Sequence, residues 1–199
     1  MFYRVSQLLL ELIIRICARV EITGRENIPP AGPYIIISNH SSNIDPPLLG
    51  MTFRRQRICF LAKKELFGSP LMGTWVKGMN MVAIDRKIGV SGIKGALARL
   101  EKGSILGIFP EGRRVTEGEK TGAKKGLGFI VAKSGVSVIP VYIDGSGKVL
   151  PKGGKIAFGE KIKVEIGKVI SSKDPFLRDA IKNKNYEGIT NYLMGKVTP

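Results

Sequence analysis

Tyr34-Ile35-Ile36-Ile37-Ser38-Asn39-His40-Ser41-Ser42-Asn43-Ile44-Asp45-Pro46-Pro47 passes from an apolar run to a polar loop and then to paired prolines. The apolar run reads as a buried strand, and Pro46 suits the first turn of a helix. The stretch therefore predicts a strand, a turn and a helix, with His40 just past the strand's carboxyl end. His40 is the only histidine in the chain. Histidine is the side chain best suited to move protons near neutral pH, and a carboxylate nearby fixes its tautomer. On one continuous helix, His40 and Asp45 would diverge by about 140°. They meet only if the chain turns between them, and the extended conformation forced on a residue before proline favours that turn. A plain N-cap for Asp45 and a structural role for His40 are the alternatives. Asn39, Ser41, Ser42 and Asn43 crowd the same loop with a polar density that packing does not require.

Outward from this stretch, short apolar runs recur at residues 58–62, 81–84, 105–109 and 136–143. Each has the character of a strand buried on both faces. Helical spacing occupies residues 89–102 through Val90, Ile93, Leu97 and Leu100, and residues 124–134 form a second helical candidate. Asp174-Pro175 reads as the N-cap and first-turn proline of a final helix carrying Tyr186, Ile189 and Leu193. Residues 145–155, rich in Gly and Lys, read as a turn or hairpin. The alternation predicts one α/β domain, a mostly parallel or mixed sheet covered by helices. Ligands of open α/β sheets gather at the carboxyl ends of strands. His40, Asp85-Arg86 and Glu111, in Phe109-Pro110-Glu111-Gly112-Arg113-Arg114, are all expected on that rim.

The 199 residues suit one sizeable core, and 43% hydrophobic with 24% charged residues is a globular composition. Two cysteines, Cys17 and Cys59, without a CxxC pair and with one histidine, offer no zinc site of ordinary spacing and no disulfide framework. No metal or cofactor is expected. Thirty-two Lys and Arg against 16 Asp and Glu give a net charge of +16, which favours an anionic partner. Within residues 1–20, Arg4, Gln7, Glu11, Arg15 and Arg19 fall in a wedge of about 120°, and nearly everything else is apolar. Four charges argue against a spanning helix, and no small-residue cleavage site follows. The segment is expected to be an N-terminal amphipathic helix lying in a membrane interface. A helix covering the domain's own core is the alternative. Residues 21–199 would form the remaining domain.

The chain lacks a GxSxG elbow, a GxxxxGK[ST] loop and a GxGxxG fingerprint. A basic His40 therefore points to activation of a substrate hydroxyl. Here the sequence resembles a family. Asn39-His40-Ser41-Ser42-Asn43-Ile44-Asp45 is similar to the HxxxxD signature of glycerolipid acyltransferases, specifically the 1-acylglycerol-3-phosphate acyltransferase group. Asp85-Arg86, Phe109–Arg114 and Val138-Ile139-Pro140-Val141 resemble the second, third and fourth blocks, in order. Arg113 departs from the small hydroxyl residue usual in the third block.

The resemblance implies transfer of an acyl group from acyl-CoA or acyl carrier protein to the hydroxyl of lysophosphatidate. His40 would be the base and Asp45 its orienter. Arg114, then Arg86 and Lys63, would bind the acceptor phosphate, with Arg113 as a further candidate. Glu111 and Gly112 would belong to the glycerol-binding loop. Simpler readings stand beside these: Lys63 and Lys64 as a solvated face, Asp85-Arg86 as a structural ion pair, and Phe67, Leu71, Met72, Trp75 and Met79 as ordinary core. The expected setting is peripheral attachment to an anionic membrane, on the cytoplasmic face. Rival acceptors are glycerol-3-phosphate and other lysophospholipids. Rival classes are a non-catalytic membrane scaffold and a basic nucleic-acid-binding domain. Specific nucleic-acid recognition is not expected, because the chain shows no groove-reading module or set of stacking aromatics.

Overall fold

The computed structural model describes residues 2–79, 81–84, 90–116 and 125–197. In chain order the elements are α1 (Phe2–Cys17), β1 (Ala18–Thr23), β2 (Ile35–Ser38), α2 (Asp45–Thr52), β3 (Ile58–Lys63), α3 (Lys64–Gly68), α4 (Pro70–Gly78) and β4 (Val82–Ile84). There follow α5 (Val90–Glu101), β5 (Ile105–Ile108), α6 (Gly126–Ser134), β6 (Val138–Asp144), α7 (Ser146–Val149), β7 (Glu160–Ile166), α8 (Pro175–Lys182) and α9 (Tyr186–Met194). The described strands form one sheet in the order β1-β7-β6-β2-β5-β3-β4. Pairing is parallel except between β6 and β7. This is the α/β domain that the alternation of segments predicts.

Strand β2 lies mid-sheet, and Ile35, Ile36 and Ile37 are fully buried because both sheet faces are covered. Ile36 joins Leu48, Leu49, Phe60, Val141 and Ile143 in one core layer, against which α1 and α2 pack. Ile35 and Ile37 join Leu106, Leu127, Ile130, Leu177, Ile189 and Leu193 in the other, beneath α5, α6, α8 and α9. The period-two alternation of a strand sends neighbouring residues into different layers.

The structure differs from the sequence expectation at four places. Strands β1 and β7 were not anticipated. In β7, Ile162, Val164 and Ile166 are buried while Glu160, Lys161, Lys163 and Glu165 are solvated, so only half the strand is apolar. The N-terminal helix stops at Cys17, and Ala18, Arg19 and Val20 belong to β1, paired with β7. The single C-terminal helix is two. Asn185 opens α9 by accepting the Gly188 N–H, just after Lys184 at φ 53°. Residues 145–155 do turn the chain, on the way from β6 to its antiparallel neighbour β7, but they open with the short helix α7, entered through Gly145 at φ 81°. Asp174 caps α8 as predicted, accepting the Leu177 N–H.

Helix α1 is turned in an unusual way. Its buried side holds Tyr3, Gln7, Glu11, Ile14 and Cys17, so part of the polar stripe faces inward. Gln7 donates to the Gly50 carbonyl, and the Tyr3 hydroxyl accepts the Ile58 N–H. Glu11 pairs with Arg15 at 3.0 Å and Arg54 at 3.6 Å. Phe2, Val5, Leu8, Leu9, Leu12, Ile13 and Ile16 are left outward, 48–66% exposed. Burying that face against the domain would require rotating the helix and stranding Glu11.

Candidate active site

The site begins where β2 runs out of backbone partners. Ser38 is the last residue in register with β6, opposite Val141. The Asn39 side chain extends the ladder: its amide donates to the Ile143 carbonyl at 2.7 Å, and its oxygen accepts the Ile143 N–H at 2.8 Å. His40 therefore leaves the sheet from a fixed point. Sequence reading noticed Asn39 as part of the polar loop without seeing this bidentate tie, which depends on β6, more than 100 residues away.

Asp45 is the first residue of α2 and is fully buried. Its Oδ2 lies 2.7 Å from His40 Nδ1 and accepts the backbone N–H groups of Ser41 and Ser42, each at 2.8 Å. One carboxylate oxygen thus closes the loop and orients the ring. It does not serve as the N-cap of α2, a position that Ile44 occupies. Two backbone N–H groups make this oxygen an acceptor, so the proton at the third contact sits on Nδ1 and Nε2 is the basic nitrogen. The imidazole stacks on Phe109, with centroids 4.2 Å apart, and Phe109 stacks on Phe60. Gly107 makes room for Phe60, since a Cβ there would lie 2.3 Å from its ring.

Glu111 reaches the same place from the loop after β5. Its carboxyl group accepts the His40 N–H, and Val115 N–H donates to the His40 carbonyl at 2.8 Å. The backbone of His40 is therefore held on both sides. Burial pushes the Glu111 carboxyl up to about 7; the His40 N–H pulls it down, and the Asp45 charge adds to the rise. Glu111 Oε2 is buried without a hydrogen-bond partner among the described residues. A cavity of about 330 Å³ opens here, lined in part by His40, Glu111, Thr116, Tyr142, Lys148 and Lys152.

His40, Asp45 and Glu111 thus meet at one point of the rim. Lys63 ends β3 on the same rim, with its side chain exposed. Gly112, at φ 67°, turns the loop; Arg113 is exposed and Arg114 half-buried, and none of the three lines the cavity. Asp85-Arg86 lies outside the described residues. The cations that do line the cavity, Lys148 and Lys152, were missed, because a Gly/Lys-rich turn carries no sequence mark of its distance from His40.

A histidine whose Nδ1 is held by a buried carboxylate, beside a cavity at the strand ends of an α/β sheet, is an arrangement that can serve as general base to a hydroxyl. Comparison with known proteins narrows the class. The Acyltransferase family matches residues 19–144, and the chain belongs to that family. It is 33% identical over 150 residues to a 1-acyl-sn-glycerol-3-phosphate acyltransferase of Bacillus subtilis, covering 74% of each chain. Against the chloroplastic 1-acyl-sn-glycerol-3-phosphate acyltransferase BAT2 of Brassica napus, identity is 33% over 178 residues, 86% of this chain. The chain matches 51% of that relative's length and 38% of the chloroplastic enzyme LPAT1 of Arabidopsis thaliana. A crystal structure of the 1-acyl-sn-glycerophosphate acyltransferase PlsC from Thermotoga maritima is similar at TM-score 0.71 and 27% identity. It covers all of this chain and 79% of that one.

Proposed function

We propose that this protein transfers an acyl group from acyl-CoA or acyl carrier protein to the free hydroxyl of lysophosphatidate, forming phosphatidate. The observation that carries the reading is the Asp45 oxygen shared by His40 Nδ1 and two backbone N–H groups, which leaves Nε2 to meet a hydroxyl in the cavity. In the proposed step, Nε2 takes the hydroxyl proton as the oxygen attacks the thioester carbonyl. The tetrahedral adduct then collapses, the C–S bond breaks, and imidazolium returns the proton to the departing sulfur. General-base help of this kind is worth about 10²–10⁴ in rate.

Arg114 is the proposed main partner of the acceptor phosphate, since arginine's fork matches a phosphate in bidentate fashion. Arg113, Lys63 and Arg86 complete the cationic set. Glu111 and Gly112 hold the glycerol, and the unpartnered Glu111 Oε2 is the atom available to a substrate hydroxyl. The names of the relatives support lysophosphatidate as acceptor.

The outward apolar face of α1 supports attachment to an anionic bilayer, and the cytoplasmic side is the face we propose for it. Contiguous exposed apolar surface of this kind marks a membrane or protein contact, and +16 favours acidic lipid. No helix among the described residues is long and apolar enough to cross a membrane. Helix α1, residues 2–17, would thus serve docking, and the sheet domain that begins at Ala18 the chemistry.

Thiol release from acyl-CoA and from acyl carrier protein, with and without lysophosphatidate, tests the reaction. Glycerol-3-phosphate and other lysophospholipids serve as alternative acceptors. Release that depends on lysophosphatidate and is abolished in folded, vesicle-bound His40→Ala supports the proposal. Release that no acceptor stimulates with either donor, or full activity in His40→Ala, refutes it.

A further inference from the structure

Between α7 and β7 the chain makes a loop, residues 150–159, that no part of the proposed chemistry uses as a whole. One end belongs to the catalytic cavity, whose lining includes Lys148, Pro151 and Lys152. The other end reaches α1: Gly159 N–H donates to the Cys17 carbonyl at 2.8 Å, directly before the Ala18↔Glu160 pair of β1 and β7. Two further bonds pin the loop. Ser42 Oγ donates to the Leu150 carbonyl at 2.8 Å, and Ala157 N–H to the Val149 carbonyl at 2.8 Å.

On this pinned loop stand Ile156, 45% exposed, and Phe158, 69% exposed. Phe158 immediately precedes the residue bonded to Cys17, so it neighbours the α1 terminus where Ile16 is 66% exposed. Exposed apolar residues thus stand on both sides of the Gly159–Cys17 backbone bond, Ile16 on α1 and Phe158 on the loop. Lys152 and Lys155 precede these apolar residues on the same loop and are exposed.

We propose that this loop is a second membrane-contacting element, with Ile156 and Phe158 entering the acyl boundary of an anionic bilayer and Lys152 and Lys155 meeting its headgroups. The proposal rests on the membrane reading of α1 given above. Charge and continuity select the occupant: an apolar wedge bordered by lysines suits acidic lipid. The loop also forms a cavity wall beside His40, so its seating would bring the cavity mouth to the lipid surface. An acceptor held in the bilayer would then reach the base without leaving the leaflet.

The test uses the full chain with Cys17 and Cys59, both buried, replaced by alanine, and one environment-sensitive fluorophore at Phe158→Cys, Leu12→Cys or Phe176→Cys. Phe176 is exposed on α8, over the opposite sheet face, and serves as the aromatic control. The probe is a vesicle of equal parts phosphatidylglycerol and phosphatidylcholine. Blue shifts at positions 158 and 12, with none at 176, are expected. A shift at 12 without one at 158 overturns the loop proposal and leaves the α1 reading standing; no shift at either position overturns both. Unlabelled Phe158→Glu is expected to lose vesicle partitioning by about tenfold, while Phe176→Glu matches the parent. Unchanged partitioning of Phe158→Glu also overturns the proposal.

Discussion

Asp45→Asn separates the charge of this residue from the hydrogen bonds that its oxygen accepts. The asparagine oxygen can still accept the Ser41 and Ser42 N–H groups, which lie 2.8 Å from Oδ2 in the parent, so the loop has what it needs to close. All three contacts fall on that one oxygen, so the same amide oxygen also accepts from His40 Nδ1, 2.7 Å away, and the amide nitrogen takes the place of Oδ1. The tautomer that leaves Nε2 as the base is kept, and what the variant removes is the negative charge. At an effective dielectric constant of about 20, unit charges at that separation interact by about 6 kcal/mol. If half of the imidazolium charge has developed in the transition state, about 3 kcal/mol is lost, roughly two orders of magnitude in kcat. The assay is initial-rate thiol release at saturating acceptor, alongside a thermal melt of the same preparation. The expected result is kcat lower by about a hundredfold or more, little change in either KM, and a Tm within a few degrees of the parent. A kcat within about fivefold of the parent, in a protein that melts normally, would refute the assignment of Asp45 as the charge that stabilises the imidazolium.

Arg114→Ala should raise the acceptor KM by about 10–100-fold, the worth of a charge-assisted contact, with a smaller effect on kcat; an unchanged acceptor KM moves the phosphate elsewhere. For Glu111→Gln the readout is Tm against pH. Folding raises this carboxyl from 4.5 to about 7, so the folded state binds the proton more tightly. That contribution is present below the unfolded value and is lost as pH rises through about 7. The parent should therefore lose stability relative to the variant across this window, and parallel curves would show that Glu111 does not titrate there. Gly128→Ala tests the packing of α6 on α9. Its Cβ would lie 1.9 Å from the Tyr186 carbonyl oxygen, a backbone atom, so the helices must part. A loss of about 2–3 kcal/mol and a Tm lower by about 5–10 °C are expected, and an unchanged melt would contradict the contact.

Local chemistry made much of this protein legible in its sequence. The runs that form β2 to β6 are apolar on both faces, so each announces a strand without help from its neighbours. His40 and Asp45 were legible because five positions, a proline and a crowd of small polar residues leave a tight turn as the way for them to meet. The third block was legible as residues, but its reach was not: Glu111 touches the His40 backbone and lines the cavity, whereas Arg113, whose charge acts on Glu111, and Arg114 are not among the lining residues. Strand β7 escaped notice because half its side chains face water, and β1 because its first residues continue the composition of the preceding helix.

By itself, then, the sequence determined the α/β class, the turn that joins His40 to Asp45 and an amphipathic N-terminal helix, since each follows from forces between residues close along the chain. Only the tertiary structure decided which way that helix faces. Its wheel shows a polar stripe, but burial of Gln7 and Glu11 against Gly50 and Arg54 is what turns the apolar side outward. Only the tertiary structure, likewise, carried Asn39 to Ile143, Lys152 to the cavity of His40 and Phe158 to the end of α1. Those meetings depend on the order of strands in the sheet, and strand order is settled by packing among distant segments that no local pattern encodes.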